Sequence, residues 1–361
     1  LGAYSLAEIL SQPRCWADCL KRLESGQAVR AIAERFGKSP EWVFIGCGSS
    51  YYIALTAAAS WTAITGIRAR AMPASELLLF PELAFHDAQP FVPVLISRSG
   101  QTSEVLRAAQ LLNEKQIPSV AVSCAPEQRL ESLATVSIVL PEADEQSTVM
   151  TRSFTSMLLS LQYAAAALTR NHKLLENFQA LPALAEAVLE GLPTKVREFV
   201  NQNSFLDFVS LGQGPYFGLA CESALKVMEM SRSYAQSFHT LEFRHGPKSI
   251  VSDTTLITFL LSEANHDTEV EVLEEIKELG GETLVVAKQL TRRARAAADL
   301  AVELDCGLPE PYCLAPFVFA GQLVGFYKAL HKGLDPDRPP NLSRVVLLPD
   351  EAGQLNSPSK K

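Results

Sequence analysis

PVLISRSGQTSEVLRAAQLLNEKQ, running from Pro93 to Gln116, is the stretch that decides the fold. PVLIS (Pro93 to Ser97) is a short apolar run, as expected of a strand buried on both faces. SRSGQT is a turn, and SEVLRAAQLLNEKQ places its apolar residues at helical spacing. A buried strand leading through a glycine turn into an amphipathic helix is one unit of a parallel α/β sheet.

The same pattern extends in both directions. Upstream, WVFIGCGSS begins with an apolar run at Trp42, turns on glycines and enters an alanine-rich helix. Downstream, SVAVSC (Ser119 to Cys124) and VSIVLP (Val136 to Pro141) read as further strands. The pattern then starts again. FLDFVSLGQGPYFGLACESALKVME echoes FIGCGSSYYIALTAA, and TTLITFLLSEANHDTEVEVLEEIKELGG echoes the stretch quoted first. ETLVVAKQLTRRARAAADLAVELD echoes PSVAVSCAPEQRLESLATVSIVLP. Three echoes in one order at a roughly constant offset indicate an internal duplication. The expected fold class is α/β, with two tandem doubly wound parallel sheets and flanking helices. The expected boundaries are helices over 1–41, a first domain over 42–175, a second over 176–333, and a tail over 334–361 that completes the site.

Composition excludes several function classes. The 361 residues carry a formal net charge of -8 and no long Lys/Arg run, which argues against nucleic acid and anionic membrane surfaces as partners. Ala54 to Ile67, the most apolar helix candidate, is too short to span a bilayer. The N-terminus has no basic segment leading into an apolar one, so no signal peptide is read there. Seven dispersed cysteines without a CxxC pair make a disulfide framework or a zinc site unexpected. They fit a reducing, cytoplasmic setting. No metal or organic cofactor is expected.

The SRSGQT loop stands where a helix starts at a strand end. First-turn N–H groups there are unpaired and the helix dipole favours an anion. Ser97, Ser99 and Thr102 add hydroxyls, and Gly100 allows close backbone approach. One hydroxyl would be an ordinary helix cap; three with a glycine favour a phosphate. GxxxxGK[ST] is absent, so this is no Walker-type loop. The second copy has SEANHDT at this point, which leaves one working loop per chain, in the first copy. CGSS (Cys47 to Ser50) is the sister turn after the first strand. There Cys47 reads as a small packed residue rather than a nucleophile. Glu222, Lys226 and Glu229 share one helix face, compatible with a site or with a plain i,i+4 ion pair. His245, in EFRHGP, lies in a glycine–proline turn and is suited to proton transfer, with His239 as a nearby competitor.

In order, GCGSS, SRSGQT, TVMTRSF, ESALKVMEMS, EFRHGP and NLSRVV resemble the sugar isomerase (SIS) domain family. More closely, they resemble the isomerase half of glucosamine-6-phosphate synthase and its stand-alone deaminase and isomerase relatives. The resemblance implies that Ser50, Ser97, Ser99 and Thr102 bind a sugar phosphate, and that Arg98, standing where the synthase has glutamine, adds a bond to it. Cys47, Gly48, Ser49, Thr148, Met150 and Arg344 would face the sugar. Glu229 would move a proton between C1 and C2, supported by Glu222 and Lys226. His245 would help open the sugar ring from the neighbouring subunit, implying a homodimer.

Three departures from the synthase pattern shape the expected activity. The glutaminase domain with its terminal cysteine does not appear in this sequence, so ammonia from glutamine is not expected here. Met150 replaces a serine near the sugar. Arg344 stands where the synthase has its ketose-binding lysine, and a permanently protonated arginine forms no Schiff base. These point first to deamination of an amino-sugar 6-phosphate. A phosphosugar aldose–ketose isomerase, a fructosamine-phosphate deglycase and a non-catalytic phosphosugar sensor follow in that order.

Overall fold

The computed structural model describes residues 1–85 and 90–348. It contains two five-stranded sheets of the same topology. The first is built from β1 (Glu41–Gly46), β2 (Arg68–Pro73), β3 (Phe91–Ile96), β4 (Val120–Ser123) and β5 (Val136–Val139), in the order β2-β1-β3-β4-β5. The second is built from β6 (Asp207–Gly212), β7 (Ala235–Phe238), β8 (Thr255–Leu260), β9 (Glu282–Ala287) and β10 (Leu300–Glu303), in the order β10-β9-β8-β6-β7. All the strand pairings are parallel. The duplication is therefore present in three dimensions. Ser97 N–H donates to Val122 at 3.0 Å, and Leu261 N–H donates to Val286 at 2.9 Å, so the two sheets can be aligned residue by residue.

Apolar runs explain the central strands. β3 and β8 are buried along almost their whole length, as strands covered by helices on both faces must be. β2 and β7 were not evident in the sequence. Both are edge strands with half-buried, polar residues, and Arg70 of β2 pairs with Glu41 of β1 at 3.0 Å.

The two halves share a core. The helices Ser49–Thr65 and Tyr216–Ser231, which follow β1 and β6, pack against each other. Gly218 permits this: a Cβ there would lie 2.4 Å from Thr56 Oγ1 and 2.6 Å from the Tyr52 carbonyl. Helix Phe319–His331 packs on the second of the pair, and the N-terminal helices Ala3–Leu10 and Gln12–Ser25 pack beside it and on helix Arg152–Leu168.

One expectation needs correction. Cys306 and Cys313 are joined by a disulfide. The chain between them runs through Gly307 and a single turn, Glu310–Tyr312, which folds it back on itself; a spacing of seven carries no recognisable signature. Cysteine usage therefore no longer supports a reducing compartment. Among the described residues, no helix is long and apolar enough to cross a membrane.

Candidate active site

In an open parallel sheet, ligands bind outside the carboxyl ends of the strands where the strand order reverses. In the first sheet that point lies between β1 and β3. CGSS follows β1 and SRSGQT follows β3, so the fold sets the two turns side by side. Gly100 has a φ of 65°, and a Cβ on it would approach Gln128 Cβ to 2.7 Å. The loop closes on itself through Ser97 Oγ and Thr102 Oγ1, 3.0 Å apart, and Ser99 Oγ accepts the Gln101 N–H at 3.2 Å. Ser50 is buried in the first turn of helix Ser49–Thr65.

The second copy has lost this chemistry. The alignment sets Leu261 against Ser97, Glu263 against Ser99, Ala264 against Gly100 and His266 against Thr102. Ser262 N–H already donates to the buried Glu269 carboxylate at 2.7 Å. An acid of the chain itself thus holds a backbone donor of the loop between β8 and helix His266–Glu278.

Helix Tyr216–Ser231 brings Glu222, Lys226 and Glu229 to the first domain. Glu222 and Lys226 are completely buried, whereas the Glu229 side chain keeps 20% of its surface exposed. Lys226 Nζ lies 3.2 Å from Glu222 Oε1, donates to Ser49 Oγ at 3.2 Å, and pairs closely with Glu229 Oε2. Ser49 Oγ donates in turn to Glu222 Oε1 at 3.1 Å. Burial raises the Glu222 carboxyl to about 8; the charge of Lys226 only partly opposes this. Burial disfavours the Lys226 ammonium, but Glu222 and Glu229 together outweigh it and its pKa is raised. Lys226 is thus an ammonium at neutral pH and a donor to Glu229. This buried network exceeds the simple surface ion pair that the spacing also allowed. Tyr52, which no motif singled out, has its hydroxyl pKa raised, chiefly by burial.

Several expected residues sit elsewhere. The Arg98 side chain, expected to add a bond to the phosphate, is only 5% exposed. It donates to the carbonyls of Thr148 at 2.9 Å, Arg344 at 3.1 Å and Val149 at 3.3 Å, and lies 3.4 Å from Glu145 Oε2. Both terminal nitrogens of the guanidinium are thus engaged by the chain itself, while the buried Nε has no partner among the described residues. Arg344 pairs with Asp144 at the surface. Met150 is half-buried against the main apolar core. Burial pushes the Cys47 thiol up to about 12, as suits a packed residue and not a nucleophile.

His245 is exposed, in a turn between Glu242–Arg244 and Pro247–Ile250. No hydrogen bond or ion pair among the described residues joins it to Glu229 of its own chain. His239 stacks on Phe217 at 3.8 Å, and burial lowers its pKa. It is a packed aromatic partner.

Two acids beneath the site carried no sequence signal. Glu145 accepts Thr151 N–H and Oγ1, each at 2.7 Å. Glu8 accepts the N–H groups of Gln146 at 2.5 Å and Ser147 at 3.3 Å. Together they fix the segment that carries Thr148 and Met150.

Residues 36–167 match the SIS domain. The chain is 26% identical over 356 residues to a glutamine–fructose-6-phosphate aminotransferase (isomerizing) of Pyrobaculum aerophilum, which covers 95% of this chain and 57% of the relative. The chain thus spans little more than half the length of that curated relative. Among solved structures, glucosamine-6-phosphate deaminase of Thermotoga maritima matches at 28% identity with a TM-score of 0.76, over 95% of this chain and 99% of the other. A putative tagatose-6-phosphate ketose/aldose isomerase of Clostridium novyi shares the fold, with a TM-score of 0.86 at 24% identity over 95% of this chain and 93% of the other. Residues 36–167 of the chain therefore carry the SIS-domain match, and the similarity to these relatives extends over nearly the whole chain.

Proposed function

We propose that this protein acts on an amino-sugar 6-phosphate and releases ammonia, leaving a ketose 6-phosphate. The observation that carries the reading is the buried Glu222–Lys226–Glu229 network, joined through Ser49 to the turn beside the hydroxyl-lined loop. The loop hydroxyls of Ser97, Ser99 and Thr102, with Ser50, hold the phosphate. Glu229, the partly exposed member, is the base. With the sugar ring open, it takes the proton from C2, giving an enolamine, and a proton is returned to C1. The resulting imine at C2 adds water and expels ammonia, leaving the ketone. Acid–base transfer of this kind contributes about 10²–10⁴-fold.

Ring opening falls to His245. Its exposure and its separation from Glu229 of the same chain suit a residue that completes the site of a second copy, so the working form is a homodimer. Arg344 cannot form a Schiff base with a ketose, which favours release of the amine over its transfer. Similarity to the Thermotoga maritima deaminase across nearly the full length of both chains supports this choice. Aldose–ketose isomerisation is the second reading. It needs the same proton transfer by Glu229 and no contact with an amine, and none of the named residues is committed to one. Glucosamine 6-phosphate incubated with the protein, without glutamine, should yield ammonia and fructose 6-phosphate in equal amounts. Ketose formed from an aldose phosphate, with no ammonia from the amino sugar, would replace the first reading by the second.

A further inference from the structure

Arg98 touches three parts of the site with one side chain. Its own backbone belongs to the SRSGQT loop after β3. Its guanidinium donates to Thr148 at 2.9 Å and Val149 at 3.3 Å, both in the segment below the sugar. It also donates to the Arg344 carbonyl at 3.1 Å, 246 residues away in the C-terminal tail. The tail continues from there across the start of helix Ser103–Glu114. Ser103 N–H donates to the Val346 carbonyl at 3.2 Å, and Leu348 N–H donates to Ser103 Oγ at 2.9 Å. The ion pair of this stretch, Arg344 to Asp144, lies at the surface, where such pairs contribute little.

We infer that Arg98 is a positioning residue, a latch that holds residues 344–348 closed over the phosphate loop and ties both to the Thr148–Val149 segment. Its chemistry suits the task. A guanidinium offers five donors in a fixed fork and stays charged, so it can bridge several carbonyls at once. Glu145 supplies the buried counter-charge, and is itself fixed by Thr151 at 2.7 Å. A lysine would keep the charge but act as a single point, and a glutamine is neutral with only two donors. The residue that distinguishes this loop from the synthase pattern therefore acts on the tail rather than on the phosphate. The effect on catalysis rests on the function proposed above; the effect on the tail does not.

The test compares wild type with Arg98→Met and Arg98→Lys. Arg98→Met leaves the buried Glu145 without a counter-charge and can unfold; Arg98→Lys keeps the counter-charge and is then decisive alone. Amide hydrogen exchange in residues 343–348 should accelerate about tenfold or more, as expected when a buried charge-assisted bond is lost. The rise should be confined to that stretch and to 145–151, which a general loss of stability would not produce. KM for glucosamine 6-phosphate should rise about tenfold with kcat changed less than about threefold. Wild-type exchange of the tail in the folded variants overturns the inference. A wild-type protein that turns over no amino-sugar phosphate would sink the function instead, and leave the exchange comparison standing.

Discussion

Ser49 Oγ donates to Glu222 Oε1 at 3.1 Å, joining the first turn after β1 to the helix that follows β6. The bond crosses the two halves of the duplication. It ties the hydroxyl-bearing turns of the first half to the buried Glu222–Lys226–Glu229 network of the second. Lys226, 3.2 Å from the same serine, completes the link. Replacing Ser49 by alanine removes a donor from a buried carboxylate, an effect of about 1–3 kcal/mol. Thermal unfolding should show a lowered midpoint in Ser49→Ala, and an unchanged midpoint would mean that the link is not stabilising.

Lys226→Met should be more severe. It takes the cation from Glu229 and a donor from the buried Glu222, and breaking a buried network in this way costs about 3–5 kcal/mol. Equilibrium unfolding in urea measures it. Removing Lys226 and Glu222 together, as Lys226→Met with Glu222→Gln, should recover a good part of the loss.

Stability should fall as pH rises above the ordinary carboxylate range. Burial raises Glu222 to about 8, so the folded chain binds a proton that the unfolded chain has released. Its contribution is complete below the unfolded value of about 4.3 and is lost as pH rises through about 8. Glu269, raised by burial to about 7, acts in the same direction. The unfolding free energy from urea titrations between about pH 5 and 9 should decline in the wild type by up to about 1.4 kcal/mol per pH unit for each proton. Glu222→Gln should flatten part of that slope, and a variant with the full wild-type slope would show that Glu222 does not hold the proton.

The phosphate reading of the loop predicts losses of affinity. Ser97→Ala and Thr102→Val each remove one hydroxyl from an anion, and each should weaken binding of a sugar phosphate about 10-fold or more. Calorimetry with the sugar phosphate and with its unphosphorylated parent separates the roles. Equal losses for both ligands would mean that these hydroxyls do not read the phosphate.

Much of this organisation was legible in the sequence because it is local. The apolar runs of β1, β3 and β8 and the glycine turns after them follow from burial and backbone geometry within a few residues. So does the common face of Glu222, Lys226 and Glu229. What was not legible depends on distant chain meeting distant chain. Arg98 looked like a phosphate ligand until Thr148, Val149 and Arg344 closed around it. Glu8 gave no signal because its partners, Gln146 and Ser147, lie more than a hundred residues away. β2 was hidden because an edge strand can hold Arg68 and Arg70 without burying them.

His245 provides a prediction about assembly. Glu229→Gln and His245→Ala should each be nearly inactive alone. Unfolded together and refolded as a mixture, they should regain about a quarter of wild-type activity if His245 serves the partner's site, since half the dimers are mixed and one site in each is intact. No recovery would place His245 in the site of its own chain.

The most direct measurement follows the proton at C2. Glucosamine 6-phosphate carrying deuterium at C2 is incubated with the protein and followed by NMR. Deuterium should leave C2 as ammonia appears, and Glu229→Gln should slow its departure by about 10²-fold or more while still binding the sugar. Deuterium retained at C2 by the wild type, or lost equally fast by Glu229→Gln, would contradict the assignment of Glu229 as the base.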